Sequence, residues 1–266
     1  MQTLTKAYRM FLHPGSPAAV YRQPRSLAYA VAARVLNSGL RGSARLGLRG
    51  AAHCIVCGWT GARFGYAVAI TKARLGRNEL CLGCGSNPRT RALLEVLARH
   101  VDLTAGDLDV VDVGAAPCTR RYFERLPRVR YRVVDRYKEA DVYSDVTAIA
   151  LPDASVDVVL CCHVLEHIED YAKAIAELYR IVKPGGCGII AVPQTRGLAV
   201  TRRTGQPCLD GYGHVWEMGD DFPQALSRAG FEVRPVEANF VETAPEAGQA
   251  KRATLPFHWV SRPSSA

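Results

Sequence analysis

From Leu108 onward the chain alternates between short apolar runs and stretches whose apolar residues recur at helical spacing. The runs predict strands near 108–113, 131–135, 156–161, 187–192, 231–237 and 253–260. Val110-Val111-Asp112-Val113 and Val156-Asp157-Val158-Val159-Leu160 are rich in β-branched residues and nearly continuous, as strands covered on both faces of a parallel sheet are. Between the third and fourth runs, Ile168, Tyr171, Ile175, Leu178 and Val182 fall on one helical face, and Lys183-Pro184-Gly185-Gly186 supplies a stop. Asn87-Pro88 reads as the cap and first position of another helix, continued by Leu93, Leu94, Val96, Leu97 and Val101. Ala229-Gly230 closes the helix before the fifth strand. This order predicts an α/β fold, a doubly wound Rossmann-like sheet. Internal repeats are absent.

The first part of the chain breaks this pattern. Residues 1–50 read as a basic extension, 51–86 as a cysteine-bearing module and 87–266 as the main α/β domain. In the extension, Leu27, Val31, Val35 and Leu36 suggest a helix over 24–40, packed on its own protein or laid on a membrane surface. The net charge of +9 is concentrated here: the first acidic residue is Glu79. The asymmetry suggests an anionic partner (RNA, acidic lipid or a phosphorylated substrate), against the plainer reading of a solvated arm. No apolar run reaches the roughly 18 residues of a membrane span, and no secretory leader pattern opens the chain, so a cytoplasmic protein is expected.

Four of the nine cysteines form two matching turns, Cys54-Ile55-Val56-Cys57-Gly58 and Cys81-Leu82-Gly83-Cys84-Gly85. Two Cys-x-x-Cys knuckles supply the four thiolates of a tetrahedral structural zinc site, with Cys54, Cys57, Cys81 and Cys84 as ligands. An iron site with the same ligands, or two buried thiol pairs, are the alternatives. Four thiolates close the shell, so such a metal would hold structure and leave catalysis to other groups.

In a doubly wound sheet the ligand lies over the end of the first strand, where Gly114 lets the backbone approach it. Asp135 ends the second strand about 20 residues later, where a carboxylate can accept both ribose hydroxyls of a nucleoside. Gly-x-Gly-x-x-Gly is absent, which argues against a nicotinamide enzyme. The run Val110 to Pro117, then Tyr131 to Asp135, then Leu151-Pro152-Asp153-Ala154-Ser155-Val156-Asp157 leading to His163-Val164-Leu165-Glu166-His167, resembles class I S-adenosylmethionine-dependent methyltransferases. The resemblance implies a cofactor site built on Asp112, Gly114, Ala116 and Asp135. It also implies that Asp145 and Val146 bracket the adenine and that Cys162 lies near the methionine end. The family's loop carries glycine at two further alternate positions, where this chain has Ala116 and Cys118. With the two knuckles, Arg89 and Arg91 ahead of it, and Gly213-His214-Val215 behind, the arrangement over about 54–235 resembles bacterial proteins labelled only as methyltransferases.

Methyl transfer needs an aligned nucleophile, and a base when the acceptor is a hydroxyl or protonated amine. His163, after the third strand, is the first candidate, and His214, in a glycine-rich loop, the second. His163, Glu166 and His167 also read as a metal constellation. The sequence favours His167 as a packed residue and Glu166 as a charge at the start of the following helix. The expected activity is O- or N-methylation of a small molecule. The rivals are an RNA methyltransferase with a zinc module and a binding protein that has lost the cofactor.

Overall fold

The protein is described by a computed structural model covering residues 32–41, 52–69, 74–137, 139–204, 213–243 and 250–264. Most of the predicted 1–50 extension lies outside the described residues; within it, 32–41 are helical (α1). The described residues fall into two compact units. One reaches to Pro88 and includes residues 241–243 of one strand and 250–253 of another; the second comprises Arg89–Gly205, His214–Phe240 and the residues from Thr254 onward.

The first unit holds strands β1 (Ala52–His53), β2 (Thr60–Gly61), β3 (Gly65–Ala69) and β4 (Arg74–Leu80), paired antiparallel as β1 with β2 and β3 with β4. Asn37 of α1 closes onto β3: its Oδ1 accepts the Tyr66 amide at 2.7 Å and its Nδ2 donates to the Tyr66 carbonyl at 3.0 Å. Both polar ends of a buried amide are thereby satisfied.

The remaining elements are α2 (Pro88–His100), β5 (Leu108–Val113), α3 (Arg120–Phe123), β6 (Val129–Asp135), β7 (Val142–Tyr143), β8 (Val156–Cys162), a 3₁₀ turn (Leu165–His167), α4 (Tyr171–Ile181), β9 (Val182–Ala191), β10 (Arg202–Arg203), β11 (Trp216–Glu217), α5 (Phe222–Arg228), β12 (Glu232–Thr243) and β13 (Ala250–Ser261). Seven strands make one sheet in the order β12-β13-β9-β8-β5-β6-β7. The five from β9 to β7 are parallel, and β13 runs antiparallel to β9. All six predicted strands are present; the seventh, β7, is two residues long and carries no periodic signal. Val111, Val113, Val159, Cys161 and Ile190 of the sheet pack with Ala174, Ile175, Leu178 and Ile181 of α4 in one buried cluster.

Two boundaries differ from the sequence reading. The helix expected from Ile168 begins at Tyr171, because Asp170 caps it by accepting the Lys173 amide at 2.9 Å. The Lys183-Pro184-Gly185-Gly186 stop is taken into β9 as an irregularity: the register jumps between the pairs Val156↔Val182 and Val158↔Cys187. Lys183 Nζ meets both oxygens of Asp157 there at 2.9 Å.

Arg180 of α4 ties the segment after β7 to the helix. Its Nη2 donates to the Ile149 carbonyl and its Nη1 to the Leu151 carbonyl, both at 2.8 Å, while Glu177 accepts the Ile149 amide at 2.8 Å. Arg180's hydrogen bonds hold Glu177 below the usual carboxylate range. A depressed folded-state value adds stability above the unfolded pKa and loses it as pH falls through the folded one. Glu177→Gln is therefore expected to lower unfolding free energy at neutral pH by about 1 kcal/mol, the low end for a partly open charged contact. Urea titrations should show this gap closing on acidification through the carboxylate range; a pH-independent gap would assign the loss to shape.

Candidate functional site

The parallel strands end along one edge. Val113 of β5 is in register with Val134 of β6 and Cys161 of β8, and Cys162 with Ala191 of β9. The chain runs from β5 outward to β6 and β7, then crosses back to β8 on the other side of β5. The reversal makes the ends of β5 and β8 the switch point of the sheet, the place where open α/β sheets bind ligands.

Gly114 follows β5 with φ 68°, and its amide donates to the Val134 carbonyl at 2.9 Å. A Cβ at this position would stand 2.6 Å from Val164 Cγ2, so glycine is needed for both conformation and space. The next residues turn at once, with the Thr119 amide bonded to the Ala116 carbonyl at 2.9 Å. Pro117 contributes no amide donor to this loop. Asp112 is buried and its Oδ2 accepts the Tyr131 hydroxyl at 2.8 Å, while the Tyr131 ring stacks on Phe123.

Asp135 stands at the end of β6, partly exposed, with Oδ1 accepting the Tyr137 amide at 2.7 Å. Asp145 is engaged locally: Oδ1 accepts from the Thr147 amide and hydroxyl at 2.9 and 2.8 Å, and Oδ2 from Arg136 at 2.7 Å. Thr147, then Arg136, hold its carboxyl below the usual range. Val146 beside it is buried. Cys162 closes β8; burial, then the nearby Asp112 charge, raise its thiol well above the ordinary value, which keeps it neutral. Gly114, Asp135, Cys162 and His163 thus share one sheet edge.

His163 is held with φ 58°, a left-handed conformation uncommon outside glycine, and its amide donates to the Ala191 carbonyl at 2.8 Å. Its Nδ1 lies 3.3 Å from Glu166 Oε1 and its Nε2 3.4 Å from Arg89 Nη1. Glu166 differs from the expectation of a charge at a helix start. It belongs to the 3₁₀ turn, is completely buried, and turns its carboxylate inward. Two further imidazoles face it: His167 Nε2 at 3.9 Å and His214 Nε2 at 3.8 Å from Oε1. The His167 and His214 rings meet edge to face with centroids 4.7 Å apart.

Backbone bonds bring His214 there. The Val215 amide donates to the Glu166 carbonyl at 2.8 Å, the Trp216 indole N–H to the Ile168 carbonyl at 2.9 Å, and the Thr204 hydroxyl to the His214 carbonyl at 2.7 Å. Burial lowers the His214 pKa, with Glu166 opposing, so the ring favours its neutral, electron-donating form. Sequence reasoning named both candidate bases and read His163, Glu166 and His167 as one possible constellation, but favoured Glu166 as a helix-start charge and did not join His214 to it. The His-x-x-Glu-His spacing was visible; the return of a segment some fifty residues later was not.

In the first unit the four knuckle cysteines converge. Cys54 Sγ lies 3.8 Å from Cys84 Sγ, and Cys57 Sγ 3.7 Å from Cys81 Sγ. Sulfurs at the corners of a tetrahedron with 2.3 Å metal bonds stand about 3.8 Å apart, whereas a disulfide requires about 2.05 Å. The knuckles repeat one backbone form: Gly58 donates to the Cys54 carbonyl and Gly85 to the Cys81 carbonyl, both at 2.8 Å. The Gly83 amide donates to Cys81 Sγ at 3.4 Å. Proton sharing pulls the Cys54 thiol below its ordinary value, chiefly through its bond from Cys81, and pushes Cys81 up through the same contact. Without a cation the thiols cannot all ionise together.

Residues 80–190 match the family described as a methyltransferase domain. The matched stretch covers under half of the chain. Its relatives include a Mycolicibacterium smegmatis protein named "Probable S-adenosylmethionine-dependent methyltransferase", 30% identical over 159 residues, covering 59% of this chain and 53% of the relative. The ubiquinone biosynthesis O-methyltransferase of Sodalis glossinidius is 33% identical over 124 residues, covering 47% of this chain and 44% of its own. The chain thus spans about half the length of these curated relatives. Among solved structures, the chain is similar in fold to the Burkholderia thailandensis 1,6-didemethyltoxoflavin N1-methyltransferase, determined with S-adenosylhomocysteine. That likeness has 19% identity, a TM-score of 0.46, and covers 65% of this chain and 78% of the other. Among the described residues, no helix is long and apolar enough to cross a membrane.

Proposed function

We propose that this protein transfers a methyl group from S-adenosylmethionine to an oxygen or nitrogen of a small-molecule acceptor, and that its four-cysteine cluster holds a structural zinc ion. The observation that carries the first reading is the shared edge of the parallel sheet, where a glycine turn after β5, an acidic strand end on β6 and the His163 segment after β8 lie at the switch point. The residues fit the cofactor: Asp135 would take its ribose hydroxyls, the Gly114 turn would admit close approach, and Val146 would flank its adenine. Asp145 could take the adenine amine only in competition with Arg136, which already occupies one carboxylate oxygen. The cofactor supplies an electrophilic methyl group and its own leaving group. The chain's part is to orient the acceptor and take its proton.

His163 is the proposed base. Its Nδ1 faces the Glu166 carboxylate, which favours the tautomer with the proton on that nitrogen and leaves Nε2 to receive one. Arg89 beside Nε2 would orient an electronegative acceptor atom. His214 would act from the segment that covers the cluster, as a contact to the acceptor. The sulfur spacing supports the zinc reading.

Calorimetry with S-adenosylhomocysteine tests the cofactor site. Asp135→Ala is expected to weaken binding by roughly tenfold or more, the equivalent of a lost charged hydrogen bond of about 1.5–3 kcal/mol. Asp135→Asn, which can keep the turn bond to Tyr137, separates charge from loop shape. Unchanged affinity in both would remove Asp135 from the site, and no binding by the wild type would favour a protein without cofactor.

A further inference from the structure

We propose that Glu166, His167 and His214 form a second metal site, distinct from the cysteine cluster, that takes a divalent cation of the zinc type. The ligand atoms of these three residues all lie within 4.8 Å of one another. Glu166 carries the argument. Its side chain is completely buried, and neither carboxylate oxygen makes a well-formed hydrogen bond among the described residues, the nearest nitrogen being His163 Nδ1 at 3.3 Å. A buried carboxylate left in this state costs several kcal/mol unless a cation compensates it.

The surroundings are imidazoles: His163, His167 and His214 stand 3.3, 3.9 and 3.8 Å from the same oxygen. Protonating all three would crowd three positive charges around one negative one. A single divalent ion lets neutral rings point their lone pairs inward and satisfies the carboxylate at once. Ligand atoms on zinc at 2.0–2.1 Å stand about 3.3 Å apart, so the two carboxylate-to-imidazole separations would contract by about half an ångström, with the imidazole rings swinging together around the ion.

The donor set also differs in kind from the cysteine cluster. Two imidazoles and one carboxylate suit zinc, cobalt, nickel or iron, and three ligands leave a coordination position open. That position would take water or an oxygen-bearing acceptor. His163 Nδ1, against the same carboxylate, would act as an orienting contact to the ligand. His167 and His214 remain partly open to solvent, which gives an ion a way in.

The ion site does not depend on the methyl-transfer reading, and its test needs neither cofactor nor acceptor. Full-length protein stripped by mild chelation to one tightly held zinc per chain is titrated with cobalt(II), followed by absorption spectroscopy and elemental analysis. The expected result is one cobalt per chain beyond the cysteine-bound zinc, with visible ligand-field bands and no sulfur-to-metal charge transfer. Glu166→Gln and His214→Ala should each weaken that uptake by roughly 100-fold while retaining the first metal. His214→Ala carries the test if Glu166→Gln fails to fold. Cobalt uptake only with thiolate charge transfer, no second equivalent at about 100 μM, or unchanged uptake in His214→Ala would overturn the proposal.

Discussion

Cys81→Ser is expected to release the metal from the four-cysteine cluster and unfold the β1–β4 unit. Among the described residues the knuckles are framed by little regular structure: β1 and β2 are two residues each, and short two-stranded pairs are marginal in water. Structural zinc contributes about 10–16 kcal/mol in zinc-finger peptides at neutral pH, more than such a unit gains from its apolar contacts. Serine keeps the size of the side chain but offers a poor, protonated oxygen in place of a thiolate. Elemental analysis should find one zinc fewer per chain, and proteolysis should reach the segment between Cys54 and Cys84 in the variant first. Chelation of the wild type should produce the same cleavage pattern. A metal-free wild type that resists proteolysis would replace the zinc reading with one of packed thiols.

The other large effect is expected at His163. His163→Ala should lower turnover by roughly 10²-fold or more, the usual contribution of a positioned base, with S-adenosylhomocysteine affinity kept. Retained cofactor affinity matters because His163 directly follows β8, at the switch point, and a collapsed loop would reduce binding as well. Alanine must also adopt the φ of 58° that histidine holds here, so a His163→Asn variant, better suited to that conformation, controls for strain. His214→Ala gives the contrast: acceptor KM should rise with cofactor affinity unchanged. Near-normal turnover in His163→Ala with an inactive His214→Ala would exchange their roles.

The parallel sheet was readable because its central strands β5 and β8 are rich in β-branched residues, and both faces of a buried strand demand the same chemistry. Asp135 and Gly114 were readable for a related reason: a strand's carboxyl end is fixed by the strand itself. What escaped was set by partners distant in sequence. Glu166 looked like a helix-start charge because the residues after it are helical in pattern, yet Asp170 wins the cap and moves the start to Tyr171. With the cap supplied elsewhere, Glu166 is free to turn inward. Likewise Lys183 to Gly186 has every local mark of a stop, but Lys183's contact with Asp157 and the Gly185 amide's 2.9 Å bond to the Arg262 carbonyl hold it in the sheet. Asp145 was assigned by family resemblance alone, and Arg136, nine residues before it, is the competitor that resemblance could not supply.

The position of β13 bears on how the chain is assembled during synthesis. β13 lies between β9 and β12, although β12 precedes it in the chain. When β12 leaves the ribosome its place in the sheet has no neighbour to receive it, and β9 presents an open row of amides and carbonyls. Only the emergence of Phe257 to Ser261, which pair with Ala191 to Cys187, closes that edge and gives β12 a seat. Until then the nascent chain carries an unguarded strand, the kind of surface on which chaperones and unwanted strand pairing compete.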